Sequence, residues 1–186
     1  RARFRGPAGE PAERCFLNAA SFGLGAVAAA GVRRTRAPLP GSARYLLAAI
    51  PPLASGRGYG ITLWVDGEAR GSFEVTTVAV ANGAYQGGGM KIAPEAVLDD
   101  GLAEVTLVER AGLAEVAAHL PILYSGAIHS HAKVRHWRGG RVRAAAENEV
   151  PLELDGEPVG TLPVEIEAIP RAVRCIFPSK KRHPLR

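Results

Sequence analysis

The pair Asp-Gly occurs at three places in this sequence: Asp66-Gly67-Glu68, Asp99-Asp100-Gly101 and Asp155-Gly156-Glu157. A carboxylate there can accept a proton from a hydroxyl or hold a hard cation together with carbonyl oxygens; equally, Asp-Gly simply initiates a tight turn through its own backbone hydrogen bonds. The tripeptide Asp-Gly-Glu occurs twice, so it is not diagnostic by itself. His129-Ser130-His131 with His136 offers imidazoles at close spacing, but no cysteine or acid lies near enough in sequence to complete a metal shell, and the pattern also suits polar residues leading into a surface strand. Gly23-Leu24-Gly25-Ala26-Val27-Ala28 imitates a dinucleotide-binding turn. It lacks the ribose-binding acid expected about twenty residues later, since no acid stands between Glu13 and Asp66; a tight strand-to-helix passage is the better reading.

The elements that must position these residues are mostly short strands. Ile61–Val65, Asp66-Gly67 and Ser72–Val80 form a hairpin whose glycine accepts the positive φ of the turn. Leu152-Glu153-Leu154 with Asp155-Gly156 makes a second turn, followed by the alternating Val164-Glu165-Ile166-Glu167. Ala132–Trp137, Gly139-Gly140 and Arg141–Ala145 follow the same logic, which makes Lys133, Arg135, Arg141 and Arg143 the wet face of a hairpin in preference to a nucleic-acid surface. Strands also fit 15–20, 102–109 and 173–177. Helical spacing appears over 42–50, capped by Ser42 and ended by Pro51-Pro52, and over 112–119 before Pro121. The fold class expected is mainly β, an antiparallel β-sandwich with two or three short helices.

Composition narrows the classes further. The 186 residues are 47% hydrophobic and 22% charged, which excludes wholesale disorder, and no apolar run is long enough to span a membrane. The net charge of +5 is unevenly spread: residues 1–65 carry +7, residues 66–170 carry −8 and residues 171–186 carry +6. Basic ends suit contact with phosphates, on a membrane or a nucleotide, or merely a solvated surface. Cys15 and Cys175, in apolar runs near opposite ends, are expected to be buried free thiols. The chain opens Arg-Ala-Arg, so it is expected to be a segment of a longer protein, with one domain over 1–178 and a basic tail over 179–186.

Taken in order, several strings are more specific together than singly. Phe16-Leu17-Asn18-Ala19-Ala20-Ser21-Phe22-Gly23, Asn82-Gly83 with Gly87-Gly88-Gly89, Pro94-Glu95-Ala96 with Asp99-Asp100-Gly101-Leu102, Leu154-Asp155-Gly156-Glu157 and Leu162-Pro163 resemble the carboxy-terminal half of the diacylglycerol kinase and sphingosine kinase-like lipid kinases, in their bacterial form. The resemblance runs from about Cys15 to Pro178. It implies a β-sandwich that supplies the lipid side of a two-domain cleft, with ATP held mainly by a nucleotide-binding half not contained in this sequence. It makes Glu157 the general base acting on a lipid hydroxyl, and gives Mg²⁺ to Asp100 with the carbonyls of Val97 and Leu102. It also implies a cytoplasmic enzyme touching the membrane peripherally, with a lipid substrate and no nucleic-acid partner; a homodimer stays open. A NAD kinase-like half, or a noncatalytic β-sandwich binding anionic lipid or nucleic acid, are the alternatives.

Overall fold

A computed structural model describes residues 1–34 and 38–174. Ten strands and four α-helices follow in the order β1 (Ala2–Arg5), β2 (Pro11–Arg14), β3 (Ala19–Gly23), α1 (Leu24–Arg34), α2 (Gly41–Ala54), β4 (Tyr59–Val65), β5 (Glu68–Ala81), β6 (Ala103–Glu109), α3 (Leu113–Ala118), α4 (Leu120–Ser125), β7 (Val134–Gly139), β8 (Arg141–Ala145), β9 (Pro151–Leu154) and β10 (Glu157–Glu167), with a 3-10 turn at Ile128–Ser130. Every strand pair is antiparallel. The path β10-β8-β4-β5-β3-β9 returns to β10, so the sheet closes on itself, while β1-β2 extend from β10 and β6-β7 branch from β5. The expected mainly β architecture is present, with four α-helices instead of two or three.

Period-two alternation sorts side chains between two faces. Ala20, Phe22, Leu63, Val65, Val78, Val80, Leu107, Leu154 and Ile166 turn inward and form the main core. The opposite face of β3 and β5 carries Ala19, Ala79 and Ala81, which pack with Ile92, Ala93 and Ile128. β3 is therefore buried at every position, as a strand covered on both sides must be. Helices α1 and α2 meet through Ala28, Ala49 and Leu53. Neither α3 nor α4 contains a buried residue.

Local turn chemistry works as expected at two hairpins. Asp66 and Gly67 (φ 51° and 84°) join β4 to β5, and Asp155 and Gly156 (φ 50° and 82°) join β9 to β10; paired positive φ values are those of the turn that matches strand twist. Gly23, at φ 87°, makes the strand-to-helix passage between β3 and α1.

Other expectations are corrected. β7 and β8 do not form a hairpin: β7 pairs with β6, whereas β8 pairs with β4 and β10, so Gly139-Gly140 is a corner between different parts of the sheet. The arginines of this segment are exposed but engaged, Arg135 with Glu109, Arg138 with Asp100, Arg141 with Glu167, and Arg143 over the Trp64 ring. Helix α2 starts at Gly41, with Pro40 as its cap residue, and continues through Pro51-Pro52 to Ala54. The prolines carry no N–H, so the helix gives up the bonds that positions 51 and 52 would have donated to the carbonyls of Leu47 and Ala48, while the Pro51 carbonyl still accepts from the Ser55 N–H at 3.1 Å. Cys15 is exposed, and the strand expected from it begins only at Ala19. Val173 and Arg174 are not in a strand; the rest of that segment, Cys175 and the basic tail lie outside the described residues, as does the Ser42 side chain.

Leu63 is fully buried in the core. Replacing it with alanine is expected to cost about 2–5 kcal/mol, read as a lowered urea midpoint with an unchanged slope.

Candidate functional site

The seam between β3 and β9 brings chemistry-bearing residues together. Ser21 faces Glu153 across the pair, so both side chains leave the barrel core and point to the outer face with Ala19 and Ala79. Glu153 is 1% exposed. Its Oε1 accepts from the Ser21 hydroxyl (2.5 Å) and the Gln86 amide (2.7 Å), and its Oε2 accepts from the Gly156 N–H (2.5 Å). Burial pushes the Glu153 carboxyl above the ordinary carboxylate range, against the pull of these donors. The phenol of Tyr45, on α2, is pushed up by burial and by Glu153.

One residue beyond β9, Asp155 accepts hydrogen bonds from three successive backbone N–H groups: Leu17 (2.8 Å), Asn18 (2.9 Å) and Ala19 (3.0 Å). Its own N–H donates to the Ala19 carbonyl at 2.8 Å. Asn18 in turn donates to the Tyr85 carbonyl, and its carbonyl accepts from the N–H groups of Asn82 and Gly83. The strings Leu17-Asn18, Asn82-Gly83 and Asp155-Gly156 are thereby one hydrogen-bonded unit.

Two cavities meet beside this unit. The more polar one, of 350 Å³, is lined by Asn18, Gln86, Gly87, Asp155 and Gly156 together with Ala29 and Val32. An apolar one of 330 Å³ lies between the outer sheet face and helices α2, α3 and α4, lined by Leu46, Leu53, Ala79, Met90, Ile128 and Val116 among others. Tyr45 and Gln86 line both, and so stand where the greasy space gives way to the polar one.

Glu157 opens β10 directly after this turn, with its side chain 49% exposed and Oε2 2.6 Å from Nη2 of Arg14. Glu68, in the other Asp-Gly-Glu turn, pairs with Arg70, two residues on. Asp100 sits in the turn before β6: Oδ1 accepts from the Leu102 N–H at 2.8 Å, and Oδ2 pairs with Arg138. Val97 is exposed and Leu102 half-buried. A carboxylate and two carbonyls are in kind the donors a hard cation takes, but the Arg138 guanidinium shares this seat and a cation would have to displace it. Glu157 and Asp100 have no common partner. Sequence reasoning passed over Glu153, although an acid between two leucines in a strand buried on both faces was the available signal; Tyr45 and Gln86 carried none.

Residues 18–177 match the model of the YegS C-terminal NAD kinase beta sandwich-like domain, and the chain belongs to that family. A Shewanella frigidimarina protein named "Probable lipid kinase YegS-like" is 27% identical over 88% of this chain and 52% of its own length. The Bacillus subtilis diacylglycerol kinase is 27% identical over 78% of this chain and 48% of its own. Among solved structures, a "putative diacylglycerol kinase" of Bacillus anthracis superposes with a TM-score of 0.59 at 21% identity, over 89% of this chain and 52% of that one, and thereby supports the fold. The chain spans about half the length of these relatives.

Because the folded-state pKa of Glu153 is raised, its contribution favours folding at low pH and is lost as pH rises through that raised pKa. In thermal melts across this window, Glu153→Gln is expected to flatten the pH dependence relative to the parent chain. Asp155→Ala, which strips three amides of their charged acceptor, is expected to cost on the order of 2–3 kcal/mol in urea unfolding.

Proposed function

We propose that this chain is the acceptor-binding half of an ATP-dependent lipid kinase, in which Glu157 takes the proton of a lipid hydroxyl. The observation that carries this reading is the apolar cavity that meets a polar one at Tyr45 and Gln86, beside the turn leading into Glu157. Such a shape suits a molecule with a long hydrocarbon part and a hydroxylated head; an adenine or ribose would meet almost no polar partners on the apolar side. The names of the relatives as lipid and diacylglycerol kinases point the same way.

In this mechanism the hydroxyl oxygen attacks the γ-phosphorus of ATP while its proton passes to the Glu157 carboxylate, and the bond from that phosphorus to the β,γ-bridging oxygen breaks, releasing ADP. Arg14, at 2.6 Å, holds the free carboxylate aimed until the hydroxyl arrives. Glu153, Asp155 and their partners position the turn without touching the reacting atoms. ATP is held by the part of the enzyme that corresponds to the other half of the relatives. Asp100 with the carbonyls of Val97 and Leu102 would hold Mg²⁺, which supplies positive charge that stiffens the turn before β6. No helix among the described residues is long and apolar enough to cross a membrane, so the reading has the lipid reached from the membrane surface, aided by exposed Leu98, Val97 and Tyr124.

In the full-length enzyme assayed with radiolabelled ATP and a lipid panel, Glu157→Gln is expected to lower turnover by about 10²–10⁴-fold with ATP binding kept, while Glu68→Gln stays near the parent rate. Retained turnover in Glu157→Gln would remove it as the base. For the cation, Asp100→Asn is expected to abolish the rise of melting temperature with added Mg²⁺, and Arg138→Gln to enlarge it; an unaltered rise in Asp100→Asn excludes Asp100 as a ligand.

A further inference from the structure

Two histidines and two acids that are scattered in the sequence converge on the outer side of β6 and β7. Glu104 and Thr106 lie opposite Arg138 and His136 in the β6–β7 register and so share one face with them. His129 comes from the 3-10 turn and Glu95 from the connection between β5 and β6. One ligand atom from each of Glu95, His129 and His136 falls within 4.8 Å of the others. Glu104 Oε2 lies 3.3 Å from Nε2 of His136, and Glu95 Oε2 lies 3.9 Å from it.

Two features of this cluster ask for a ligand. Glu104 is 2% exposed, yet neither of its carboxylate oxygens has a hydrogen-bond partner among the described residues; the buried carboxylate has only the nearby charges of His136 and Arg138 (Nε at 3.2 Å) for compensation. His129 is the second. Thr106 Oγ1 has one proton, which it gives to the Ile92 carbonyl at 2.8 Å, so at its 3.0 Å contact with His129 Nε2 it must accept. That fixes His129 as the tautomer with the proton on Nε2, leaving a lone pair on Nδ1. This Nδ1 is buried and without a partner. An imidazole that donates one N–H to a protein oxygen and keeps a free lone pair on its other nitrogen, in a cluster with carboxylates, has what a supported metal ligand needs.

An ion pair between protonated His136 and Glu104 is the simpler account. It leaves His129 Nδ1 unsatisfied and stacks a cation on the neutral ring at 4.0 Å, so it explains half of the cluster.

We infer that Glu95, His129 and His136, with Glu104 set against His136, form a binding site for one divalent transition-metal ion of the Zn²⁺ class. Two imidazoles and carboxylates are the donors such an ion selects over Mg²⁺. A bound ion lies in the plane of each ring that holds it, so the present 19° stack of the two imidazoles opens on binding. The site would fasten the Glu95 connection and the 3-10 turn to β6–β7. Ile92 and Ile128 from those segments line the apolar cavity, so the ion braces its wall. The inference stands on residues distinct from Glu157 and Asp100, and its test needs no kinase activity.

The 186-residue chain, stripped with EDTA and held at constant Mg²⁺, is titrated with Zn²⁺ by calorimetry and with Co²⁺ by visible absorption. One equivalent is expected to bind. Glu95→Gln, an exposed position that leaves the core untouched, and His136→Asn are each expected to weaken binding by more than about 10-fold. Thr106→Val, which removes the acceptor of the His129 Nε2–H together with the bond to the Ile92 carbonyl, is expected to weaken it by about 10–100-fold. Absence of saturable one-equivalent binding, or an affinity unchanged when Glu95→Gln and His136→Asn are combined in a chain that circular dichroism shows to be folded, overturns the inference.

Discussion

A single carboxylate holds the ends of this chain's β structure in register. Asp155 accepts from three consecutive amides at 17–19, residues more than 130 positions away in sequence, and returns its own N–H to the Ala19 carbonyl. That clamp reinforces the β3–β9 ladder, the seam at which the path from β10 through β3 closes. The polar cavity, the placement of Glu153 and the position from which Glu157 leaves the turn all follow from closure. Hydrogen bonds to an ionised acceptor are stronger than neutral ones, and here they act where an entropic cost of long-range closure must be overcome.

Strand parity then divides the labour. Along β3, Ala20 and Phe22 serve the core, while Ala19 and Ser21 serve the outer face. A barrel that buries both sets can place a carboxylate such as Glu153 in low dielectric without opening the core, because its partners Ser21, Gln86 and Gly156 all come from the outer side. The apolar cavity is built on the same face, so its position relative to the Leu154-Asp155-Gly156-Glu157 turn is set by the pleat of the sheet.

Features encoded by a few adjacent residues were legible in the sequence. Asp66-Gly67 and Asp155-Gly156 announce their turns because only certain residues accept paired positive φ values, and alternation in 61–65 and 164–167 announces which face is wet. Gly139-Gly140 misled because a glycine pair permits a reversal or a corner equally, and the choice is made by β6 competing for β7 and by β4 and β10 taking β8. The histidines misled in the opposite direction: the acids that approach them, Glu95 and Glu104, lie 25 or more residues upstream and arrive only through the β6–β7 pairing and the loop before it. The Asp-Gly-Glu pair shows the limit of local reading, since Glu68 and Glu157 stand in like turns and differ only in what the closed sheet brings alongside them.

The wall of the apolar cavity is made partly of α3 and α4, two helices of six residues with no buried side chain. Helices of that length have little intrinsic stability, and these hold their place by marginal contacts and the Lys133–Glu115 pair at 2.7 Å. The barrel beneath them is closed and densely packed. Their detachment is therefore expected to have a free energy well below that of global unfolding, which would open the side of the cavity while the closed sheet stays intact. Rigidity and access, which compete in a single packed core, are assigned here to different elements.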